Sequence, residues 1–109
     1  MADTTIVFYG IKLAVREDEL EALESRLHPL QAVAKQAGLD SYWGNFAAPD
    51  ERWFLLIGKL LGKLGVEDRQ SLQIDPDEFS SIVHAVSAEL RHAGVSQPTS
   101  LHLDFQPDP

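Results

Sequence analysis

The apolar run from Arg52 to Gly65, RWFLLIGKLLGKLG, constrains the fold more than any other part of the sequence. It has three interpretations: a phosphate-binding loop, an amphipathic helix or a long strand. A phosphate-binding loop has four residues between its glycines, followed by Lys and then Ser or Thr. Here only three residues separate Gly58 from Gly62, and Leu64 stands where the hydroxyl residue is required. The sequence therefore does not support a phosphate-binding loop.

A helix and a strand both fit the apolar pattern of this run. Trp53, Leu56 and Leu60 recur at helical spacing, but three glycines would each cost about 1 kcal/mol relative to alanine inside a helix. An apolar run without alternation is typical of a strand covered on both faces, where glycines mark bulges or close backbone approach. We prefer the strand, paired as a hairpin with the preceding SYWGNF, and keep the helix as the alternative.

The other segments give clearer patterns. Residues 4–15, TTIVFYGIKLAV, are rich in β-branched and aromatic side chains and predict a strand. A helix follows, with Asp18 and Glu21 placed to cap it and Pro29 predicted to break it and open a second short helix. A longer helix begins after Asp75, and TSLHLDF is predicted to be the last strand.

The order of these elements is β-α-β-β-α-β, which is that of the ferredoxin-like, or split βαβ, arrangement. We expect an α+β fold with an antiparallel sheet, two helices on one face, and the first and third long strands in the centre. Residues 71–74 are a candidate for a further short strand. Residues 1–109 are expected to form a single domain, with 1–3 and 106–109 as loose tails.

The composition restricts the classes of partner that the chain is expected to bind. Nine Lys and Arg residues against 17 Asp and Glu give a net charge of −8, which disfavours nucleic acid and anionic membranes and suits a basic protein surface or a small molecule. There is no cysteine, which removes disulfides and thiolate chemistry and suits the cytoplasm. The N-terminal sequence lacks the pattern of a signal peptide.

A few polar and aromatic residues are candidates for ligand binding. His102 and Asp104 lie two apart and so share a strand face, where a carboxylate can orient an imidazole. Tyr42, Trp43 and Asn45 could supply walls and polar groups of the same pocket. The ordinary alternatives are a solvated edge strand for His102 and Asp104, and packing against Trp53 for the aromatic residues. No third ligand is spaced for a metal, and we expect no metal or cofactor.

An apolar patch is expected on the sheet face away from the helices. If the odd residues of the first strand face the helices, Ile6, Phe8 and Gly10 face away, and either Phe54 with Leu56 or Trp53 with its alternates would join them from the third strand. A patch of that size would mark an interface, such as a homodimer packed sheet to sheet, unless the segment from Leu60 to Ile74 folds back over it.

The sequence holds no recognisable catalytic motif. We therefore predict a small acidic module that self-associates, as a dimer, or binds another protein, and whose role is binding rather than catalysis. The alternative is a small-molecule-binding protein or enzyme with a cavity on the open face of the sheet.

Overall fold

The computed structural model describes residues 3–48, 50 and 52–107, which form one antiparallel sheet and three α-helices in an α+β fold. The strands are β1 (Thr4–Val15), β2 (Asp40–Gly44), β3 (Trp53–Gly65) and β4 (Ser100–Gln106). The helices are α1 (Leu20–Glu24), preceded by a 3-10 turn at Glu17–Glu19, α2 (Pro29–Gln36) and α3 (Pro76–His92).

The strand order in the sheet is β2-β3-β1-β4, and all three pairings are antiparallel. The expectation that the first and third long strands lie in the centre is confirmed. The strand interpretation of the apolar run is also confirmed, because β3 continues unbroken from Trp53 to Gly65. The further strand considered near 71–74 does not form. Instead, the Leu72 side chain packs beside Gly62.

Proline breaks the first helical segment where the sequence predicts. Pro29 opens α2, and the ring of His28 caps it by accepting a hydrogen bond from the Leu30 N–H at 3.1 Å. The cap expected at Asp18 and Glu21 lies two residues earlier, because the Arg16 N–H donates to the Glu19 carboxylate. The helix expected after Asp75 is α3.

The three helices share one core with one side of the sheet, the helix face. Tyr9 and Ile11 of β1 and Leu55 and Ile57 of β3 supply the sheet's part of this core. Each α-helix contributes buried side chains to this core: Leu23 from α1, Ala34 from α2, and Val86 and Leu90 from α3. Burying the valine and leucine side chains among them stabilises the fold by about 1.5–3 kcal/mol each.

The two long strands bend together at a pair of glycines. Gly10 and Gly58 lie directly opposite each other, with φ of 156° and 154°. A Cβ on Gly10 would lie 2.0 Å from the Ile57 carbonyl oxygen, and one on Gly58 would lie 2.1 Å from the Tyr9 carbonyl oxygen. Only glycine permits this close approach of two backbones.

The bend curls the sheet so that its second side becomes a concave face. Lys12 is six positions from Ile6, the residue that pairs with Asp104, and six extended residues span about 20 Å. Even so, the Lys12 Nζ lies 2.6 Å from the Asp104 Oδ1. A lysine side chain cannot reach that far along a flat sheet, so the two ends of the concave face approach each other across the curl.

The concave face holds a second core. Ile6, Phe8 and Leu56 have no exposed surface, and Phe46 packs with them. Phe46 reaches this position because it and Ala47 adopt positive φ values of 52° and 60°, which turn the chain after β2 back over the sheet.

The tails predicted at residues 1–3 and 106–109 fall only partly within the described residues. Gln106 is not part of a loose tail, since it ends β4 and its Oε1 accepts a hydrogen bond from the Phe46 N–H at 3.2 Å. Asp3 precedes β1. Residues 1–2 and 108–109 lie outside the described residues.

Candidate functional site

Strand β4 presents two sides with opposite surroundings. His102 and Asp104 pair in register with Phe8 and Ile6, so they lie on the concave face, and both are half-buried. The apolar residues that alternate with them lie on the helix face and are exposed: Leu101 by 48%, Leu103 by 61% and Phe105 by 46%. We call these three side chains the apolar strip. The interpretation of His102 and Asp104 as the solvated side of an edge strand is corrected, because the polar side faces inward.

The polar side of β4 is fixed to the rest of the concave face. Asp104 accepts from Lys12 across the curl, and the Lys12 Nζ also lies 4.6 Å from the centre of the Phe54 ring. The His102 Nε2 lies 3.2 Å from the carbonyl oxygen of Gly10, at the bend itself. The Asp104 Oδ2 is buried and has no hydrogen-bond partner within the described part of the chain. These contacts hold β4 at a defined angle to β1.

The N-terminal end of β4 is fixed as well. The hydroxyl groups of Tyr9 and Thr99 lie 2.6 Å apart, and the Ser87 hydroxyl is 3.4 Å from the same Thr99 oxygen. Thr99 therefore links β1, α3 and the start of β4. The strand that carries the apolar strip is therefore anchored near both of its ends.

The other residues predicted to bind a ligand do not meet in one pocket. Tyr42 lies on the concave face and stacks on Phe46, with 6.1 Å between ring centres. Trp43, its neighbour on β2, points to the helix face and packs against Trp53 at 5.7 Å, as the packing alternative expects. The amide of Asn45 donates to the Arg52 carbonyl in the β2–β3 connection. Adjacent strand residues point to opposite faces, yet Tyr42 and Trp43 both line a cleft beside β2, and Asn45 is not part of its lining.

On the concave face, the pKa of the Tyr42 hydroxyl is raised above its ordinary value. Burial raises the pKa of its hydroxyl, and the nearby Asp68 carboxylate adds to the increase. The Lys63 Nζ lies 5.4 Å from the centre of the Tyr42 ring. The hydroxyl thus stays protonated well above neutral pH, where it can act as a donor but not as a base.

The residues predicted to form a sheet-to-sheet interface are covered by their own chain. Ile6, Phe8 and Leu56 are fully buried, and Phe54 is half-buried under Lys12. The expectation of an exposed patch there is corrected: the curl and Phe46 cover it. The signal for the apolar strip was present in the sequence as the alternation of TSLHLDF, but that alternation does not show which side is solvated.

Comparisons with models of protein families, with curated proteins and with solved structures found no match. In the described part of the chain, no helix has the length and apolar character to span a membrane. The described residues also hold no group of three His, Asp or Glu side chains arranged to bind a metal ion.

Proposed function

We propose that this chain is a ferredoxin-like module that binds a second copy of itself through the apolar strip of β4. The strand order β2-β3-β1-β4 supports the ferredoxin-like arrangement, because that arrangement has its first and third strands in the centre. Side chains of α1, α2 and α3 pack in one core on the helix face, which supports it further.

The exposed apolar strip is the observation that carries the self-association proposal. It lies on an edge strand, since β4 pairs only with β1 among the described strands. Edge strands in monomeric proteins are usually protected by charges, prolines or bulges, because their free N–H and C=O groups can pair with another strand. Ser100–Gln106 has none of these on its exposed side. An unprotected edge beside three exposed apolar side chains favours association.

Charge permits a symmetric pairing of two β4 strands. The one charged side chain of Ser100–Gln106 is Asp104, and Lys12 neutralises it from within the same chain. Two antiparallel β4 strands related by a twofold axis would therefore bring no uncompensated strand charge together. They would join two four-stranded sheets into one of eight.

A stable interface needs more surface than the strip supplies. Each partner in a specific interface usually buries about 800 Å², about a ninth of the 7065 Å² of this chain. Three half-exposed side chains provide roughly 300 Å², because even a fully buried aromatic residue accounts for about 150–250 Å². Helix α3 crosses β1 on the same face, where Phe79 contacts Tyr9 at 5.6 Å. The side of α3 next to β4 would complete the interface.

The test is the molar mass in solution, measured by size-exclusion chromatography with light scattering. We expect twice the chain mass of 12.1 kDa for the wild type and the monomer mass for Leu103→Lys. Leu27→Lys is the matched control, because Leu27 is 76% exposed in the turn between α1 and α2 and should leave the dimer intact.

Two results would contradict the proposal. One is a wild type that remains monomeric at concentrations up to about 100 μM. A specific interface of standard size usually associates at lower concentrations than that. The other is a Leu103→Lys variant that remains dimeric. Because Leu103 is exposed, circular dichroism of the variant should match the wild type, and a loss of dimer would then report on the interface and not on folding.

A further inference from the structure

His28, in the turn between α1 and α2, is a buried histidine with a partner for each ring nitrogen. Its side chain is 8% exposed. The Nδ1 accepts a hydrogen bond from the Leu30 N–H at 3.1 Å, and the Nε2 lies 2.9 Å from the Glu19 Oε1. A ring nitrogen that accepts from an N–H carries no proton, so the one proton of the neutral ring is on Nε2, where it donates to Glu19. These two contacts select a single tautomer of His28.

The backbone of His28 belongs to the same network. Its N–H donates to the Gln31 Oε1 at 3.2 Å, and the Gln31 Nε2 donates to the Leu23 carbonyl oxygen at 3.1 Å. Gln31 is itself buried. The first turn of α2 is thus joined to α1 through buried hydrogen bonds. Histidine is the side chain that ordinarily changes charge between about pH 5 and 8, so this network contains a group suited to sense pH.

A second proton on the ring is incompatible with the cap. It would go to Nδ1, because Nε2 already holds one, and would then face the Leu30 N–H as a second donor with no acceptor between them. The positive ring would also lie at the N-terminus of α2, where the helix dipole favours negative charge. The Glu19 carboxylate acts in the opposite direction, because it attracts the imidazolium and holds Nε2 in place. The ring therefore stays on Glu19 while Leu30 loses its acceptor.

The other charged groups around His28 are exposed or paired elsewhere. The Arg16 guanidinium, on the turn that carries Glu19, pairs with Asp18 at 3.0 Å. Among the described carboxylates, only that of Glu19 lies within 4 Å of a His28 ring nitrogen. The charged side chains of α1, α2 and the turn between them are exposed and form no ion pair with the described residues: Glu21, Glu24, Arg26 and Lys35.

We propose that His28 is a pH-sensitive lock on the first turn of α2. The neutral ring caps the helix and joins it to α1, and proton uptake at Nδ1 removes the cap and releases Leu30 and Gln31. Gln31 also lines the cleft beside β2, so the same proton changes the shape of that cleft. Helix α2 packs against β2 and β3, and the lock does not depend on self-association through β4.

NMR spectroscopy of the full chain labelled with ¹⁵N, titrated from pH 8 to pH 5, tests the lock. At pH 8 the ring nitrogens of His28 should have the shifts of the Nε2–H tautomer. As the ring takes up its second proton, the Leu30 amide resonance should shift with the same midpoint. The protection of that amide from hydrogen exchange, corrected for the pH dependence of exchange in an unstructured chain, should fall at least tenfold.

Two variants separate the cap from the charge. His28→Asn keeps a capping side chain that does not titrate, so its Leu30 resonance should not depend on pH in this range. Glu19→Gln keeps a hydrogen-bond acceptor but removes the charge that attracts the imidazolium, so the Leu30 midpoint should move to lower pH by about one unit. His84→Asn, on the exposed side of α3, is the matched control and should leave the Leu30 transition unchanged.

Three outcomes would overturn the proposal. The first is an Nδ1–H tautomer at pH 8, because that nitrogen could not then accept from Leu30. The second is a Leu30 amide whose shift and protection stay constant down to pH 5, whether or not the ring titrates. The third is a Leu30 transition of equal size in His28→Asn, which would assign the transition to another group.

Discussion

Gly58 shows at the scale of one residue why the sheet can curl. Its φ of 154° is rare for a residue with a side chain, and a Cβ would lie 2.1 Å from the carbonyl oxygen of Tyr9. A backbone oxygen in the middle of a sheet cannot move away without breaking pairings. We expect Gly58→Ala to lower the free energy of unfolding by about 1–3 kcal/mol or more, as overpacking does, measured by urea unfolding followed by tryptophan fluorescence.

A substitution at a second glycine distinguishes the cost of the steric clash at Gly58 from the cost of the backbone conformation. Gly38 also has a positive φ, 71°, but nothing lies within 4 Å of its missing Cβ. Gly38→Ala should therefore cost only the left-handed conformation, about 1 kcal/mol. Equal losses in the two variants would show that the contact with Tyr9 is relieved at little cost, and would remove the close approach as the cause of the bend.

At the scale of elements, a hydrogen bond joins the turn before α1 to the start of α2. The Glu19 Oε1 lies 2.9 Å from the Nε2 of His28, whose other ring nitrogen caps α2. The backbone N–H of Arg16 and, next, the His28 ring lower the pKa of Glu19. The lowered pKa means that the ionised carboxylate is favoured in the folded state.

The lowered pKa of Glu19 determines how its contribution to folding stability depends on pH. Because the folded pKa of Glu19 lies below its unfolded value of about 4.3, its contribution is fully present above that pH and is lost as the pH falls through the folded pKa. We expect Glu19→Gln to lower the melting temperature at pH 7 and to have progressively less effect as the pH falls below about 4.3. Thermal unfolding followed by circular dichroism between pH 2.5 and 7 measures this.

The matched control for that series is Glu21→Gln. Glu21 is exposed and its side chain forms no hydrogen bond or ion pair with the described residues, while the charge removed is the same. Its melting temperature should follow the wild type at every pH. A Glu19→Gln difference that persists at pH 2.5 would attribute the loss to packing of the amide and not to the carboxylate.

The elements themselves could be predicted largely from the sequence, for local physical reasons. Pro29 cannot continue a helix, and Asp75 caps α3 by accepting from the Glu78 N–H at 2.8 Å. Such signals act within a few residues. The cap at Arg16 escaped prediction because it uses a Glu19 side chain and a backbone N–H, with no capping side chain from the first residue.

At the scale of the whole molecule, the sequence predicted which residues share a face but not which face is solvated. Alternation put His102 with Asp104 and Leu103 with its apolar neighbours, and the structure keeps both groupings. What decides their exposure is the curl at Gly10 and Gly58, which depends on two residues 48 positions apart meeting in register. No local pattern contains that pairing, so the concave face and the apolar strip required the structure.

The net charge makes the proposed dimer depend on salt in a direction that can be tested. Each copy carries −8, whereas the strip between the copies has no uncompensated charge. Repulsion between the two chains thus opposes association at low salt, and the Debye length falls from about 30 Å at 0.01 M to about 8 Å at 0.15 M. We expect the dimer dissociation constant to fall about tenfold over that interval, equal to about 1.4 kcal/mol, in sedimentation equilibrium measurements. A dissociation constant that rises with salt would mean that opposite charges meet across the interface, and would exclude the apolar strip as its centre.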